Sequence, residues 1–183
     1  LPSIIGNRQS QPIGGFFISL HERNTRRIMN EKRRLLGMTL DELKGVAFEA
    51  GLPGYAAKQM ADWLYKKKVT SIAAMTNIAS AKRALLEKNF EVGAVPPSDL
   101  MKSVDGTIKY LYPAGPGNFV ESVYIPTEDR ATLCVSSQVG CKMNCLFCMT
   151  GKQGFTKNLS ANEILNQIQS LPETEELTNI VFM

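Results

Sequence analysis

The chain has 183 residues, of which 44% are hydrophobic and 21% are charged, and its formal net charge is +4. These values are ordinary for a folded domain and exclude a disordered tail, a collagen-like rod and a heptad-only coiled coil. No apolar run approaches the ~18 residues that a membrane span needs, and no secretion signal is recognisable. We therefore expect a cytoplasmic protein without a membrane partner.

The pattern of residues changes twice along the chain. Residues 1–28 show no sustained hydrophobic period and are predicted to form a flexible leader, either a native arm or translated sequence upstream of a start at Met29. Residues 29–97 have the 3.6-residue period of amphipathic helices. Residues 98–183 begin with the two-residue period of strands. We expect a helical domain followed by a domain that contains a sheet.

Three helices are predicted in the first of these domains. Thr39 and Glu42 have the spacing of a capping box, which begins a helix over residues 40–50. Two more helices are expected over residues 55–68 and 79–90. The residues of these two helices that are expected to face the domain core are Met60, Trp63, Leu64, Leu85, Leu86 and Phe90.

The second domain is predicted to combine a hairpin with one βαβ unit. Strands are expected over residues 107–112, 119–125, 131–136 and 178–182, the last of them buried. A long loop over residues 138–158 and a helix capped by Ser160 and Glu163 separate the last two strands. A strand, a helix and a further strand form a parallel, right-handed unit. One such unit cannot close a barrel, so we expect a fragment of a larger α/β domain.

Glu121 is unusual in its predicted strand. Alternation places it on the same face as Phe119, Val123 and Ile125. Burial among apolar neighbours would favour the protonated form of the carboxylate and make it a candidate acid or base. The alternative is an edge-strand glutamate that faces water.

All four cysteines lie within residues 134–148, and three of them have the spacing C-x3-C-x2-C. The three are Cys141, Cys145 and Cys148. Three thiolates on one loop can hold three irons of a 4Fe–4S cluster and leave the fourth open to a small molecule. A zinc site completed by Cys134 is the main alternative, because structural zinc takes four ligands. The single histidine, His21, is far away in the sequence and is expected to be a surface residue.

The residues around this spacing resemble one enzyme family. The run RATLCVSSQVGC at residues 130–141, the two following cysteines and the run QGF at 153–155 are similar to the RlmN family. LPGYAAKQM at residues 52–60 and WLY at 63–65 are similar to the family's amino-terminal helical domain. Members of that family are radical S-adenosylmethionine enzymes that methylate carbon 2 of an adenine in 23S rRNA and, in some members, in tRNA.

The resemblance implies an α+β then α/β architecture, with a helical domain, a β-hairpin and the first βαβ unit of a truncated radical SAM partial barrel. It also implies roles for individual residues. Cys141, Cys145 and Cys148 would ligate the 4Fe–4S cluster, and Phe147 would contact the adenine of S-adenosylmethionine. A core aromatic is the alternative for Phe147.

The remaining implied roles concern the transfer itself. Glu121 would accept a proton from the adenine, and Cys134 would resolve a covalent RNA–protein intermediate by forming a disulfide with a methyl-carrying cysteine. No unassigned cysteine remains for that role, so the chain alone is expected to be inactive.

The resemblance further implies binding partners, and two alternatives stay open. The partners are 23S rRNA, tRNA and a flavodoxin- or ferredoxin-type reductase, and the protein is expected to be a monomer. Residues 55–90 hold seven basic and two acidic residues, which suits RNA. The basic residues expected to grip RNA are Lys58, Lys66, Lys67, Lys68, Lys82 and Arg83. A relative that methylates carbon 8 and a non-catalytic zinc-stabilised RNA-binding module are the alternatives.

Overall fold

The computed structural model describes residues 32–183, so the predicted leader over residues 1–28 lies outside the described residues. The helical segment contains α1 (Leu40–Glu49), α2 (Ala56–Ala61) and α3 (Ser80–Asn89). A π-helical turn, Asp62–Lys66, continues α2, and a 3-10 turn, Ile72–Ala74, precedes α3. Within residues 32–183, no helix combines the length and apolarity required to span a membrane.

The helical segment has its own apolar core. Leu43, Met60 and Leu86 meet there and are at most 1% exposed. Burial of such a side chain contributes roughly 1.5–3 kcal/mol. Two short strands, β1 (Arg33–Arg34) and β2 (Phe90–Glu91), pair in parallel and tie the start of this segment to its end.

The prediction that Leu85 of α3 faces the core is wrong. Leu85 is 39% exposed, whereas Leu86 and Phe90 are buried. Successive helical residues point about 100° apart, so the turn of α3 that directs Leu86 into the core leaves Leu85 at its margin.

Four antiparallel strands form most of the five-stranded sheet. They are β3 (Asp99–Lys102), β4 (Ile108–Pro113), β5 (Phe119–Pro126) and β6 (Ala131–Val135). The predicted hairpin between β4 and β5 is confirmed, with Leu111 opposite Glu121. The register between β5 and β6 places Val123 opposite Cys134.

The chain after β6 forms a hairpin, a helix and a parallel strand. The hairpin joins β7 (Gln138–Gly140) to β8 (Phe155–Asn158) and holds the short helix α4 (Met149–Lys152). Then come α5 (Ala161–Gln169) and β9 (Asn179–Phe182), which pairs in parallel with β6. The predicted βαβ connection is thereby confirmed.

Two expectations for this region are wrong. The long loop over residues 138–158 contains the β7–β8 hairpin, because its two ends pair in register from Gln138 opposite Asn158. The last strand is not buried, since Ile180, Val181 and Phe182 are 42%, 46% and 64% exposed. Among residues 32–183, β9 pairs with β6 alone and lies at an edge of the sheet.

Both predicted capping boxes are formed. The Thr39 N–H donates to the Glu42 carboxylate at 2.7 Å, and Thr39 Oγ1 accepts from the Glu42 N–H at 3.3 Å. Ser160 and Glu163 make the same pair of contacts at the start of α5. Each box satisfies backbone N–H groups that a helix start leaves free, which explains why these two starts were predictable.

Only one face of the five-stranded sheet is covered in residues 32–183. Ile164 and Ile168 of α5 pack against the sheet core, which contains Tyr124 and Leu133. On the opposite face, Glu121 is exposed and Cys134 is half-buried. The candidate site residues therefore lie on the sheet face that α5 leaves open.

Candidate active site

The β7–β8 hairpin frames the cysteine motif. The Cys141 N–H donates to the Gly154 carbonyl at 3.1 Å, and the two strands shift register between Val139 and Gly140. Gly140 has φ +71°, and a Cβ at this position would lie 1.6 Å from the Gly154 oxygen. Only glycine fits both the positive φ and the close approach, so Gly140 determines how the hairpin closes beneath the cysteines.

The three cysteines of the motif are all partly accessible. Cys141, Cys145 and Cys148 are half-buried. The Cys148 N–H donates to the Cys145 carbonyl at 3.1 Å, which forms a tight turn between them. A backbone hydrogen bond from Gly151 lowers the pKa of the Cys148 thiol, and Thr150 contributes in the same direction. A lowered pKa favours the thiolate, which is the metal-binding form of cysteine.

The donor set fits an iron–sulfur cluster in its chemistry, but the sulfur atoms are not assembled around a common point. Among residues 32–183, no group of three or more His, Cys, Asp or Glu side chains is placed to hold a metal ion. The four cysteines are all free thiols. Ligand sites rarely exist preformed without the metal, since thiolates repel one another and metal binding completes the fold locally.

Exposed apolar side chains surround the cysteines. They are Met143, Leu146, Phe147 and Met149. Phe147 is 91% exposed, so the alternative that it is a core aromatic is wrong. Solvent-exposed apolar groups beside a candidate cofactor site suit contact with a ligand.

Glu121 does not lie among buried neighbours as its strand pattern suggested. Its side chain is 50% exposed and pairs with Lys109, whose Nζ lies 3.0 Å from Glu121 Oε1. The buried face of β5 is instead the one that carries Val120 and Tyr124. Of the two possibilities for Glu121, the side chain that faces water is confirmed because α5 packs on that other face, although β5 is an internal strand and not an edge strand.

Glu121 and Cys134 share one face of the sheet. Val123 is directly opposite Cys134, and Glu121 is two residues before Val123, so Glu121 and Cys134 are diagonal neighbours. Side chains in that relation lie roughly 7–8 Å apart. Ser136 Oγ donates to the Glu121 carbonyl at 2.7 Å, which places Glu121 at the carboxyl end of β6. The cysteine hairpin starts at the same end, where α/β sheets usually carry their chemistry.

An open groove of about 140 Å³ lies beside Glu121. Its lining residues are Asp99, Leu100, Met101, Lys109, Leu111 and Glu121. Sequence reasoning missed Lys109 as a member of this site. The alternation of β4, in which Lys109 separates buried Ile108 from buried Tyr110, indicated its outward face, but only the strand register brings it to Glu121.

Comparison with known proteins identifies the relatives of this chain. Residues 33–92 match the family described as ribosomal RNA large subunit methyltransferase N-terminal domain. The chain is 81% identical over 155 residues to a probable dual-specificity RNA methyltransferase RlmN of Parabacteroides distasonis, and this match covers 85% of the chain and 45% of the relative. The corresponding protein of Bacteroides thetaiotaomicron is 63% identical over the same shares.

Residues 33–92 thus match the RlmN amino-terminal domain, and 85% of the chain is similar to part of the RlmN proteins. A crystal structure of a radical SAM methyltransferase from Sphaerobacter thermophilus has the same fold, with a TM-score of 0.73 and 34% identity. That match covers 82% of this chain and 47% of the solved chain. The chain thus spans less than half the length of the RlmN relatives and of the solved structure that it matches.

The matched RlmN amino-terminal segment carries the basic residues predicted to grip RNA, and several already have partners in the structure. Lys66 pairs with Asp62 at 2.7 Å, and Lys67 lies 3.6 Å from the centre of the Trp63 ring. Lys68 Nζ donates to the Glu175 carboxylate at 2.6 Å. These contacts fix the run of lysines in place, and RNA binding by it remains a prediction.

Proposed function

We propose that the chain is part of an enzyme that methylates carbon 2 of an adenine in 23S rRNA, and in tRNA, by radical S-adenosylmethionine chemistry. The observation that carries this proposal is the placement of Glu121 and Cys134 on one accessible sheet face, at the end where the cysteine hairpin starts. A proton acceptor and a resolving thiol must both reach one base, and this placement meets that requirement. Similarity to RlmN proteins supports the reaction class.

Three thiolates would hold the cofactor of this reaction. Cys141, Cys145 and Cys148 would ligate a 4Fe–4S cluster and leave one iron for the amino and carboxylate groups of S-adenosylmethionine. When bound, the cluster and S-adenosylmethionine supply the radical that activates a methyl group carried on a cysteine. Phe147 would contact the adenine of S-adenosylmethionine, which its exposed ring permits.

Two residues of this chain would act on the RNA base. Glu121 would accept the proton that the adenine ring loses, while Lys109 holds the carboxylate on the open face. The Cys134 thiolate would attack the sulfur of the thioether that joins the methyl-carrying cysteine to the base. An S–S bond then forms as the S–C bond breaks, and the released electron pair stays on the carbon, which takes up a proton to become the product methyl group.

The methyl-carrying cysteine would come from outside this chain. All four cysteines of the chain have other proposed roles. The 183-residue chain is therefore inactive by itself, whereas its full-length parent is a methyltransferase. The parent would work in the cytoplasm as a monomer and receive electrons from a flavodoxin- or ferredoxin-type reductase.

Transfer of labelled methyl from S-adenosylmethionine to an rRNA fragment tests this proposal. We expect transfer by the full-length parent and none by the 183-residue chain. Cys134→Ala in the parent should accumulate RNA covalently attached to protein, visible as a shifted band on a denaturing gel, and Glu121→Gln should form neither this band nor product. Turnover by the chain alone would contradict the assignment of its cysteines.

Two measurements separate this function from its alternatives. Mass spectrometry of digested rRNA should place the new methyl group on carbon 2, and a methyl group on carbon 8 would favour the other class of adenine methyltransferase. Anaerobic reconstitution should give a brown protein with a visible iron–sulfur band. Colourless protein with one bound zinc would instead favour a non-catalytic RNA-binding module.

A further inference from the structure

Helix α5 contacts the helical segment as well as the sheet. Asn162 and Asn166 are only 8% and 6% exposed. They are four residues apart, so they lie on the same face of α5, one turn from each other. A buried amide is costly unless its polar atoms are paired, and the partners of both side chains lie in the helical segment or in the connection that follows it.

Asn162 uses its whole amide group for this contact. Its Nδ2 donates to the carbonyls of Leu36 at 3.0 Å and Gly93 at 3.1 Å. Its Oδ1 accepts from Arg34 Nη1 at 3.2 Å. Both donor hydrogens and the acceptor oxygen therefore have partners, and these partners come from both ends of the helical segment.

The Asn166 side chain makes two hydrogen bonds to the backbone of one residue, Val95, as a neighbouring strand would. The Val95 N–H donates to Asn166 Oδ1 at 2.7 Å, and Asn166 Nδ2 donates to the Val95 carbonyl at 2.8 Å. Val95 belongs to the connection between the helical segment and β3. The side chain thus holds this connection by both polar groups of one backbone unit.

The turn at Gly37 fits closely against the start of α5. A Cβ on Gly37 would lie 2.6 Å from the backbone nitrogen of Asn162, and Gly37 has φ +97°. From the other side, Tyr65 Oη accepts from the Gly37 N–H at 3.1 Å and donates to the Met38 carbonyl at 2.6 Å. The turn is fixed between the helical core and α5, which leaves α5 no room to slide.

The residue after Asn166 ties the same helix to the candidate active site. Gln167 is fully buried. Its Oε1 accepts from the Ser136 N–H at 2.9 Å, and its Nε2 donates to the Ser136 carbonyl at 3.0 Å. Ser136 in turn donates through its hydroxyl to the Glu121 carbonyl at 2.7 Å.

We propose that α5 is a rigid connector in which Asn162 and Asn166 hold the helical segment and Gln167 holds the strand end that carries the Glu121 site. These three are positioning residues. They set one orientation of the helical segment relative to Glu121, so that an RNA gripped by the former presents its base to the latter. This last consequence depends on the proposed function, whereas the fixed orientation does not.

The orientation can be tested on the 183-residue chain without RNA or cofactor. Residual dipolar couplings of the backbone amides report how each part aligns in a weakly oriented medium. In the wild-type chain, residues 40–89 and 99–135 should fit one common alignment tensor. With Asn162→Asp and Asn166→Asp together, which keep the size but cannot donate to the carbonyls, the two parts should fit tensors of different magnitude or orientation.

Two further variants, a control in α5 and a second disruption in the helical segment, complete this test. Gln169→Ala changes a half-buried side chain of the same helix that is not a partner in these hydrogen bonds and should retain a common tensor. Gly37→Ala disturbs the same contact from the side of the helical segment. Like the double aspartate variant, it should give different alignment tensors for residues 40–89 and 99–135, and it serves as the test if the double variant does not fold. A common tensor in whichever of the two variants folds, or a wild type with two tensors, would overturn the proposal.

Kinetics in the full-length parent test the consequence for RNA. The double aspartate variant should retain its iron content but lose about tenfold or more in kcat/KM for RNA, chiefly through KM. Gln167→Glu should lower kcat with little change in KM, because it disturbs the Glu121 site and not the RNA grip. If the wild-type parent transfers no methyl group, the proposed function fails while the dipolar couplings still decide the orientation. Unchanged kcat/KM in both variants would refute the positioning roles.

Discussion

Substitution of Gly140 by alanine should detach the cluster site from an otherwise intact fold. The added Cβ would lie 1.6 Å from the Gly154 oxygen, almost 2 Å short of the 3.4 Å at which ordinary contact begins. The hairpin must open at this point, and the hydrogen bond from the Cys141 N–H to the Gly154 carbonyl is lost. Cys141 would then move away from Cys145 and Cys148.

The size of the effect follows from two contributions. A left-handed conformation costs an L-residue about 1–2 kcal/mol, and Gly140 has φ +71°. The lost backbone hydrogen bond adds about 0.5–1.5 kcal/mol. Together these destabilise the closed hairpin by roughly 1.5–3.5 kcal/mol, a factor of about 10 to 300 in its population, since 1.4 kcal/mol is a tenfold change.

Gly154→Ala is the matched control for this experiment. Gly154 has φ +74°, but a Cβ there would meet nothing within 4 Å. It should therefore cost only the conformational part, about 1–2 kcal/mol. Iron and sulfide bound per chain after anaerobic reconstitution are the assay. We expect Gly140→Ala to bind far less iron than Gly154→Ala. Equal iron in the two variants, or wild-type iron in Gly140→Ala, would refute the role of the hairpin.

Two further predictions concern pH and salt. A hydrogen bond to Glu176 raises the pKa of Tyr124 from 10.0 to about 12, so the folded state retains a proton that the unfolded state loses. The contribution of this group to the free energy of unfolding should be maximal below pH 10 and should fall between pH 10 and 12. In urea titrations over this pH range, Tyr124→Phe should show a smaller fall in the free energy of unfolding. An equal fall in the variant and the wild type would contradict this. Replacement of Lys66, Lys67 and Lys68 by glutamine in the full-length parent should weaken RNA binding and reduce its salt dependence, whereas an unchanged slope would show that these lysines serve internal contacts alone.

Local signals were predictable from the sequence because their physics is local. The capping boxes at Thr39 and Ser160 each depend on residues three positions apart, and both are formed. The spacing of the cysteines likewise predicted that the three share one loop. The hairpin itself was not predicted, because the pairing of Gln138 with Asn158 depends on a 20-residue separation that leaves no local pattern.

The environment of Glu121 could not be predicted from the periodicity of the sequence alone. Alternation along β5 separates its residues into two faces, but it does not say which face a helix will cover. α5 covers the face of Val120 and Tyr124, so Glu121 lies on the open side with Lys109. Choosing between the faces requires the packing of α5, a contact across more than 40 residues of sequence.

The buried amides of α5 are a second example. In sequence, Asn162 and Asn166 lie on the polar side of an amphipathic helix, opposite Ile164 and Ile168, which indicates a solvent-exposed side. Their carbonyl and N–H partners lie 69 to 126 residues earlier in the chain. Only the tertiary arrangement shows that these two side chains are satisfied and buried.

Mössbauer spectroscopy of the full-length parent, reconstituted anaerobically with isotopically enriched iron, tests the central claim most directly. The claim is that Cys141, Cys145 and Cys148 hold a 4Fe–4S cluster with one iron free of protein ligands. We predict the spectrum of such a cluster, in which one iron site alone changes when S-adenosylmethionine is added. A cluster whose four irons are all unaffected by S-adenosylmethionine, or protein without a cluster signal, would contradict the account.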